Sequence, residues 1–204
     1  MKVVNQSYDI LTMHDGKTIL KHIEFLGRTC YKSEGKITND SAEAFVKMLI
    51  KNGHESVLEH ESITVKFICD RGISHELVRH RIASYTQEST RFCNYSKDKF
   101  NNEITVIDQD FIEGSAVRNM WLTLCKEAEN CYFHMLKCGT TPQEARSVLP
   151  TCLKTELIVT ANLREWRLIF KQRTSKAAHT QMRLLMKGLL AELKTLVPVI
   201  FDDL

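Results

Sequence analysis

Residues 61–70, ESITVKFICD, alternate without interruption: Ile63, Val65, Phe67 and Cys69 fall on one side, Ser62, Thr64 and Lys66 on the other. Period-two alternation marks a strand with one face in a core and the other outside it. The chain therefore contains a sheet. KVVNQS near the start, ITVI at 104–107 and TELIVTANL at 155–163 are further strand candidates.

Most of the remaining length repeats at helical spacing. GKTILKHIEFLGRTCY places Ile19, Ile23 and Leu26 on one face. Asp40 is expected to cap a second helix, with Glu43 three residues on, an apolar face of Ala44, Phe45, Met48 and Leu49, and Gly53 after its end. ISHELVRHRI, 73–82, reads as a short helix with Ser74 at its cap. From Val117 to Leu136, apolar positions 117, 120, 121, 124, 128, 131 and 135 mark a long amphipathic helix ended by Gly139. Thr141, Pro142 and Glu144 form a capping-box start to another, stopped by Pro150. REWRLIFKQR continues as helix. The last helix carries Met182, Leu185, Met186, Leu189, Leu193 and Leu196 on one face. Eight Gly and three Pro in 204 residues leave no room for a linker. The expectation is an α+β fold: a single helix-rich domain, residues 1–204, with a central, mostly antiparallel sheet.

Charge narrows the function classes. A net +3 is too mild and too spread to imply nucleic-acid binding, but it allows a local positive pocket for a small anion. No apolar run approaches the ~20 residues that span a bilayer. The seven cysteines are odd in number and include no Cys-x-x-Cys, and MKVVNQSYDI lacks a signal-peptide core. Reduced thiols in a cytoplasmic protein are the expectation.

Metal binding is not expected. In HELVRH, the position four after His75 is Arg79, and His80 comes one residue too late; His54 and His60 are six apart. Cys152 is a nucleophile by residue type only, with nothing local to lower its pKa. No Gly-rich phosphate loop occurs. RHRIASYTQESTR, 79–91, is the densest polar run. On a continuing helix, Arg79 and Arg81 point in widely different directions with His80 between them. Spacing alone admits a solvated helix end or a site for anionic groups. A basic interaction module is the competing class. Arg146, Arg164 and Arg173 form a second basic group that also reads as surface pairing, as does Arg167 with Glu165 or neighbours of Lys171.

Arg79-His80-Arg81, seven residues, then Ser89 resembles the R-H-R-x7-S signature of flavin-dependent thymidylate synthases. GHESVLEH (53–60), SHELVRHR (74–81), EARSVLP (144–150) and NLREWRLIFKQRTSKAAHTQMR (162–183) resemble that family's other blocks, in order and over nearly the whole chain. The resemblance implies a homotetramer with active sites at subunit interfaces. It also implies FAD, with NADPH and 5,10-methylenetetrahydrofolate as co-substrates, and reductive methylation of dUMP to dTMP with release of tetrahydrofolate. No nucleic-acid or membrane partner is implied.

Position by position, the resemblance assigns Arg79, His80 and Arg81 to FAD, with Arg79 also reaching the nucleotide. His54 and Ser56 lie along the flavin, and Asn162 and Arg164 form a flavin-side pair. Glu76 contacts dUMP. Gln87, Glu88, Ser89 and Arg91 belong to the loop that wraps dUMP, with Gln87 also on the cofactor side. Arg146 is a second nucleotide arginine, and Arg173 stabilises charge at uracil N3. Other thymidylate synthases use a Cys nucleophile; this family does not. Ser89 lacks an evident activating base, which favours a hydrogen bond to dUMP over nucleophilic attack. Two positions depart from the pattern: Gln87, where many relatives have Glu, and Leu168, where relatives often carry Asn or His.

Overall fold

The computed structural model describes residues 1–204. In chain order it contains strands β1 (Lys2–Val4) and β2 (Ser7–Thr12), helices α1 (Gly16–Tyr31) and α2 (Ala42–Lys51), strand β3 (Ser62–Asp70) and helix α3 (Arg71–Leu77). Strands β4 (Ala83–Gln87) and β5 (Thr105–Ile107) and helices α4 (Ser115–Lys137) and α5 (Pro142–Ala145) follow. Strand β6 (Lys154–Asn162) and helices α6 (Leu163–Arg173), α7 (Thr180–Leu196) and α8 (Pro198–Phe201) complete it. Helix accounts for 52% of the chain and the sheet is small and antiparallel, so the expected α+β, helix-rich class holds. The four-stranded sheet has the order β2-β3-β6-β4; β1 and β5 form a separate parallel pair. No helix is long and apolar enough to cross a membrane.

The contacts resolve into two compact units, each drawn from three segments. The first comprises residues 1–7, 67–79 and 85–158. Its core gathers Tyr95, Ile104, Val106, Cys125, Tyr132, Ala145 and Leu153. The expected apolar stripe on α4 is displaced. The buried face is Cys125, Glu129 and Tyr132, while Val117, Met120 and Leu124 are more than half exposed. A polar requirement on the buried face explains the miss: the Glu129 carboxylate accepts the Ile104 N–H at 3.0 Å and pairs with Lys126. A buried backbone donor needs such a partner, and the carboxylate that serves it breaks the apolar pattern.

One start in this unit differs from expectation, and one helix keeps its expected start but is shorter. The α3 cap is Asp70, whose Oδ1 accepts the Ile73 N–H at 2.7 Å; Ser74 lies inside the helix and its hydroxyl donates to the Arg71 carbonyl. The helix ends at Leu77, not 82, and residues 83–87 form a strand that the sequence reading missed. The capping box at Thr141 is present, with its N–H donating to Glu144 at 2.8 Å, but α5 has only four residues before a 3-10 turn at 146–148.

The second unit comprises residues 8–66, 80–84 and 159–204. Here α1 and α2 pack closely because Gly27 faces Phe45 and Leu49; an added Cβ would meet the Phe45 ring at 2.8 Å and Leu49 at 2.9 Å. The α2 cap position is Ser41 rather than Asp40, and the buried face is Ala42, Phe45, Val46 and Leu49, with Ala44 exposed. Both faces satisfy helical spacing and share Phe45 and Leu49, so periodicity could not choose between them. Gly53 follows at φ 71, as the expected C-terminal signal requires. Ile63 and Val65 of β3 are fully buried here, and Phe67 and Cys69 are fully buried in the first unit. Each contributes about 1.5–3 kcal/mol by leaving water if it is as large as Val or Phe. Register is visible in the Leu163 N–H donating to the Glu61 carbonyl at 2.9 Å and in Thr64 Oγ1 facing Thr160 Oγ1 at 2.9 Å. On α7, Met182, Leu185, Met186, Leu189 and Leu193 are buried as expected, whereas Leu196 is exposed.

Arg167 is the largest departure. It is not a surface pair with Glu165 but a buried anchor. Its Nη atoms grip Asp203 in a two-point contact at 2.7 Å each, Nη1 also donates to the Ile200 carbonyl, and Nε reaches Glu55 at 3.2 Å.

Candidate active site

The two units divide the expected site residues almost by ligand. Glu76, Arg79, Gln87, Glu88, Ser89, Arg91 and Arg146 fall in the first; His54, Ser56, His80, Arg81, Asn162, Arg164 and Arg173 fall in the second. The nucleotide set is thus in the first unit apart from Arg173. The flavin set is in the second apart from Arg79 and Gln87.

In the first unit, β4 delivers its end into a tight turn. The Ser89 carbonyl accepts the N–H groups of Phe92 at 3.2 Å and Cys93 at 2.8 Å, and its hydroxyl accepts the Arg91 N–H at 3.3 Å. Thr90 is buried and accepts from Arg146 Nη1 at 3.3 Å. Arg91 Nε donates to Gln143 Oε1 at 2.7 Å, three residues before Arg146. The two arginines are therefore tied to the same turn and the same short helical segment, and both remain exposed at their ends. Gln87 points away from this group: its Nε2 donates to Ser74 Oγ at 2.8 Å and Thr155 Oγ1 at 3.3 Å. The amide has two donors where a carboxylate has none, so the departure from Glu suits these hydroxyl partners. The Glu88 carboxylate is also engaged, with Tyr95 Oη at 3.0 Å and Lys154 Nζ at 3.0 Å. Glu76 sits half-buried in the last turn of α3, and Arg79 is exposed just beyond it.

In the second unit, His80 is buried while Arg81 is exposed. The Nε2 atom of His80 accepts from Arg173 Nε at 3.0 Å, and Nδ1 lies 3.4 Å from Glu165 Oε1. Burial, helped by the adjacent Arg173 charge, holds the His80 pKa down to about 4, so the ring is neutral near pH 7. Burial also raises the Glu165 carboxyl above its usual range. Sequence reasoning named Glu165 only as a partner for Arg167. An acid in the first turn of a helix ordinarily reads as a dipole-complementing surface group, and no local signal distinguishes this one.

Of the flavin-side residues, Asn162 and Arg164 line a cavity of about 440 Å³, together with Ile82, Leu168, Lys171, Arg167 and the carboxylates of Glu55, Glu59 and Glu165. Ile82 and Leu168 are exposed apolar groups suited to a flat aromatic ring. Arg164, 52% exposed in its side chain, bonds Glu59 at 2.6 Å and lies 3.9 Å from Glu55; Lys171 is the second exposed cation of the lining. The apolar pair and the two cations fit the ring and diphosphate of FAD, with the diphosphate taking the place of the Glu59 carboxylate on Arg164. Asn162 Oδ1 caps α6 by accepting the Glu165 N–H at 2.8 Å, leaving its amide NH2 for a ligand. His54 is exposed and stacked on Tyr31, with its Nδ1 2.6 Å from the Tyr31 hydroxyl. Ser56 is exposed in the 3-10 turn at 55–60.

The family described as thymidylate synthase complementing protein matches residues 12–199. The chain belongs to this family. Among its relatives, a flavin-dependent thymidylate synthase from Geobacter sulfurreducens is 32% identical over 188 residues, covering 89% of this chain and 80% of its own. One from Mycobacteroides abscessus is 35% identical over 196 residues, covering 89% and 78%. A crystal structure of the UMP/dUMP methylase PolB from Streptomyces cacaoi, bound with 5-Br dUMP, aligns with a TM-score of 0.82 over 99% of this chain and 96% of that one. At 18% identity that likeness establishes the shared fold.

Proposed function

We propose that this member of the family is a flavin-dependent thymidylate synthase. It methylates dUMP at C5 to give dTMP, with 5,10-methylenetetrahydrofolate as carbon donor and NADPH as hydride source through FAD, releasing tetrahydrofolate. The observation that carries the reading is the attachment of Arg91 and Arg146 to one turn and one short helical segment beside Ser89. Two guanidinium groups and a hydroxyl supply the donors that a nucleotide phosphate needs. Glu76, Arg79, Gln87 and Glu88 complete the dUMP side.

Uracil C5 is a weak nucleophile; the ring must carry extra negative charge before C5 can attack, and that charge needs a cation beside it until the new bond draws it away. Arg173 answers that charge at N3: it is a permanent cation, preorganised by its bond to a neutral ring. Bound FAD would supply the hydride that NADPH delivers. His54, Ser56, Arg81, Asn162 and Arg164 hold it.

The enzyme works as a cytoplasmic homotetramer of single-domain chains, with active sites at subunit interfaces. The exposed apolar stripe of Val117, Met120 and Leu124 on α4 supports association of copies. A monomer with full activity in light scattering would contradict it.

The visible spectrum of the purified protein is the direct test. A flavin band, present or gained on adding FAD, should bleach with NADPH and dUMP under anaerobic conditions. dTMP should then appear only when methylenetetrahydrofolate is added. Absence of flavin binding at any FAD concentration overturns the reading. Arg81→Ala should weaken FAD binding by roughly ten- to a hundredfold, the worth of one hydrogen bond from a charged group. Equilibrium titration of the apoprotein measures it, and an unchanged affinity removes Arg81 from the flavin set.

A further inference from the structure

Glu165 and Arg173 lie on one helix, eight residues apart, so about 12 Å separates them along its axis. They do not meet. His80, carried by the segment after α3, touches both: Arg173 Nε at 3.0 Å from its Nε2, and Glu165 Oε1 at 3.4 Å from its Nδ1. His80 and Glu165 are each about 95% buried. We infer that Glu165 is a positioning residue for dUMP methylation, acting through His80 to fix the orientation of the Arg173 guanidinium.

The chain of reasoning is one of donors and acceptors. Arginine only donates. The contact with Arg173 therefore requires an unprotonated Nε2, which places the single ring proton of neutral His80 on Nδ1. That is the edge facing Glu165. In histidine pairs of this kind, the partner at one nitrogen selects the tautomer and ring orientation presented by the other. Replacing Glu165 by an apolar residue removes the carboxylate that favours the Nδ1–H form. The Nε2–H form would then oppose one donor with another, and Arg173 would swing off its bond. A displacement of about 1 Å at a positioned catalytic group costs on the order of a hundredfold in rate.

The inference rests on the role given to Arg173 above, and the experiment separates the two. Nitrogen-15 NMR of the ring-labelled holoprotein, with His80 assigned by a His80→Gln variant, should show Nδ1 protonated and Nε2 bare. In Glu165→Leu, the proton should shift toward Nε2. In steady state at saturating FAD, Glu165→Leu should lower kcat for dTMP formation by about ten- to a hundredfold, with KM for dUMP within about twofold of the parent. Glu165→Gln, whose amide oxygen can still accept the Nδ1 proton, should recover most of kcat. A merely structural role would lose kcat, flavin and Tm together, and Gln would rescue them no better than Leu. A wild-type His80 with its proton on Nε2 overturns the inference, even if the Leu variant fails to fold. So does a folded Leu variant with unchanged kcat. A wild-type protein that makes no dTMP overturns the proposed function instead, whatever tautomer His80 shows.

Discussion

Arg173→Ala is expected to reduce dTMP formation by about a thousandfold while flavin content stays within twofold of the parent. The magnitude follows from what a preorganised donor does at developing charge: removing one such group typically costs 10²–10³ in rate, and here the lost group also carries a full charge. Arg173 is half-buried and tied by Nε to the neutral, buried His80, so its orientation is set before substrate arrives. The apparent selectivity of the effect comes from its place outside the cavity lined by Asn162, Arg164 and Leu168. Single-turnover formation of dTMP, with the flavin spectrum recorded on the same sample, measures both halves. Arg173→Lys should fall between the two, because an ammonium keeps the charge but loses the fork that holds one edge against His80. Turnover near normal in the alanine variant would remove Arg173 from the chemistry.

The largest expected loss of stability comes from Arg167→Ala, at about 3 kcal/mol. Truncating one member of a buried, hydrogen-bonded charge pair costs about 3–5 kcal/mol, and the lower end applies because Asp203 is half exposed. The variant strands the Ile200 carbonyl and Glu55 and removes the two-point grip on Asp203. For a chain of this size, 1 kcal/mol moves Tm by about 2–4 °C, so a drop of about 6–12 °C is expected. The pair has a pH signature. Arg167 lowers the Asp203 pKa in the folded state, so its contribution is present above the unfolded carboxylate value and is lost as pH falls through the folded value. The difference in Tm between parent and variant should therefore shrink in acid. Melting curves near pH 7 and below pH 4 test this, and a difference that is the same at both would assign the loss to packing instead.

Strands β3 and β6 and most helices were legible because each alternates or repeats on a simple period, whereas β2 and β4, the two outer strands of the same sheet, were missed. Periodicity placed β3 and the α1, α6 and α7 helices closely, even though α1 buries Glu24, α6 buries Glu165 and Arg167, and α7 buries Gln181. It failed where a polar side chain serves the backbone from inside. Glu129, bonded to the Ile104 N–H, made the buried face of α4 look like the solvent face. Arg167 looked like a surface cation because its partners, Glu55 and Asp203, are 112 and 36 residues away in sequence. The candidate site was legible as residue types in order, through the resemblance of RHR and Ser89 to a known signature. What the sequence could not supply was depth. Arg79, His80 and Arg81 are three consecutive polar residues, and only the coordinates separate the buried ring from the two exposed cations.

That difference in depth makes the order of the tripeptide matter more than its composition. His80 is the one residue of the three held out of water, and it meets Arg173 with a lone pair rather than a charge. Arg79 and Arg81 keep their charges in solvent on either side of it. Exchanging His80 with Arg81 would leave the composition and net charge unchanged, yet it would aim one guanidinium at another in a buried place.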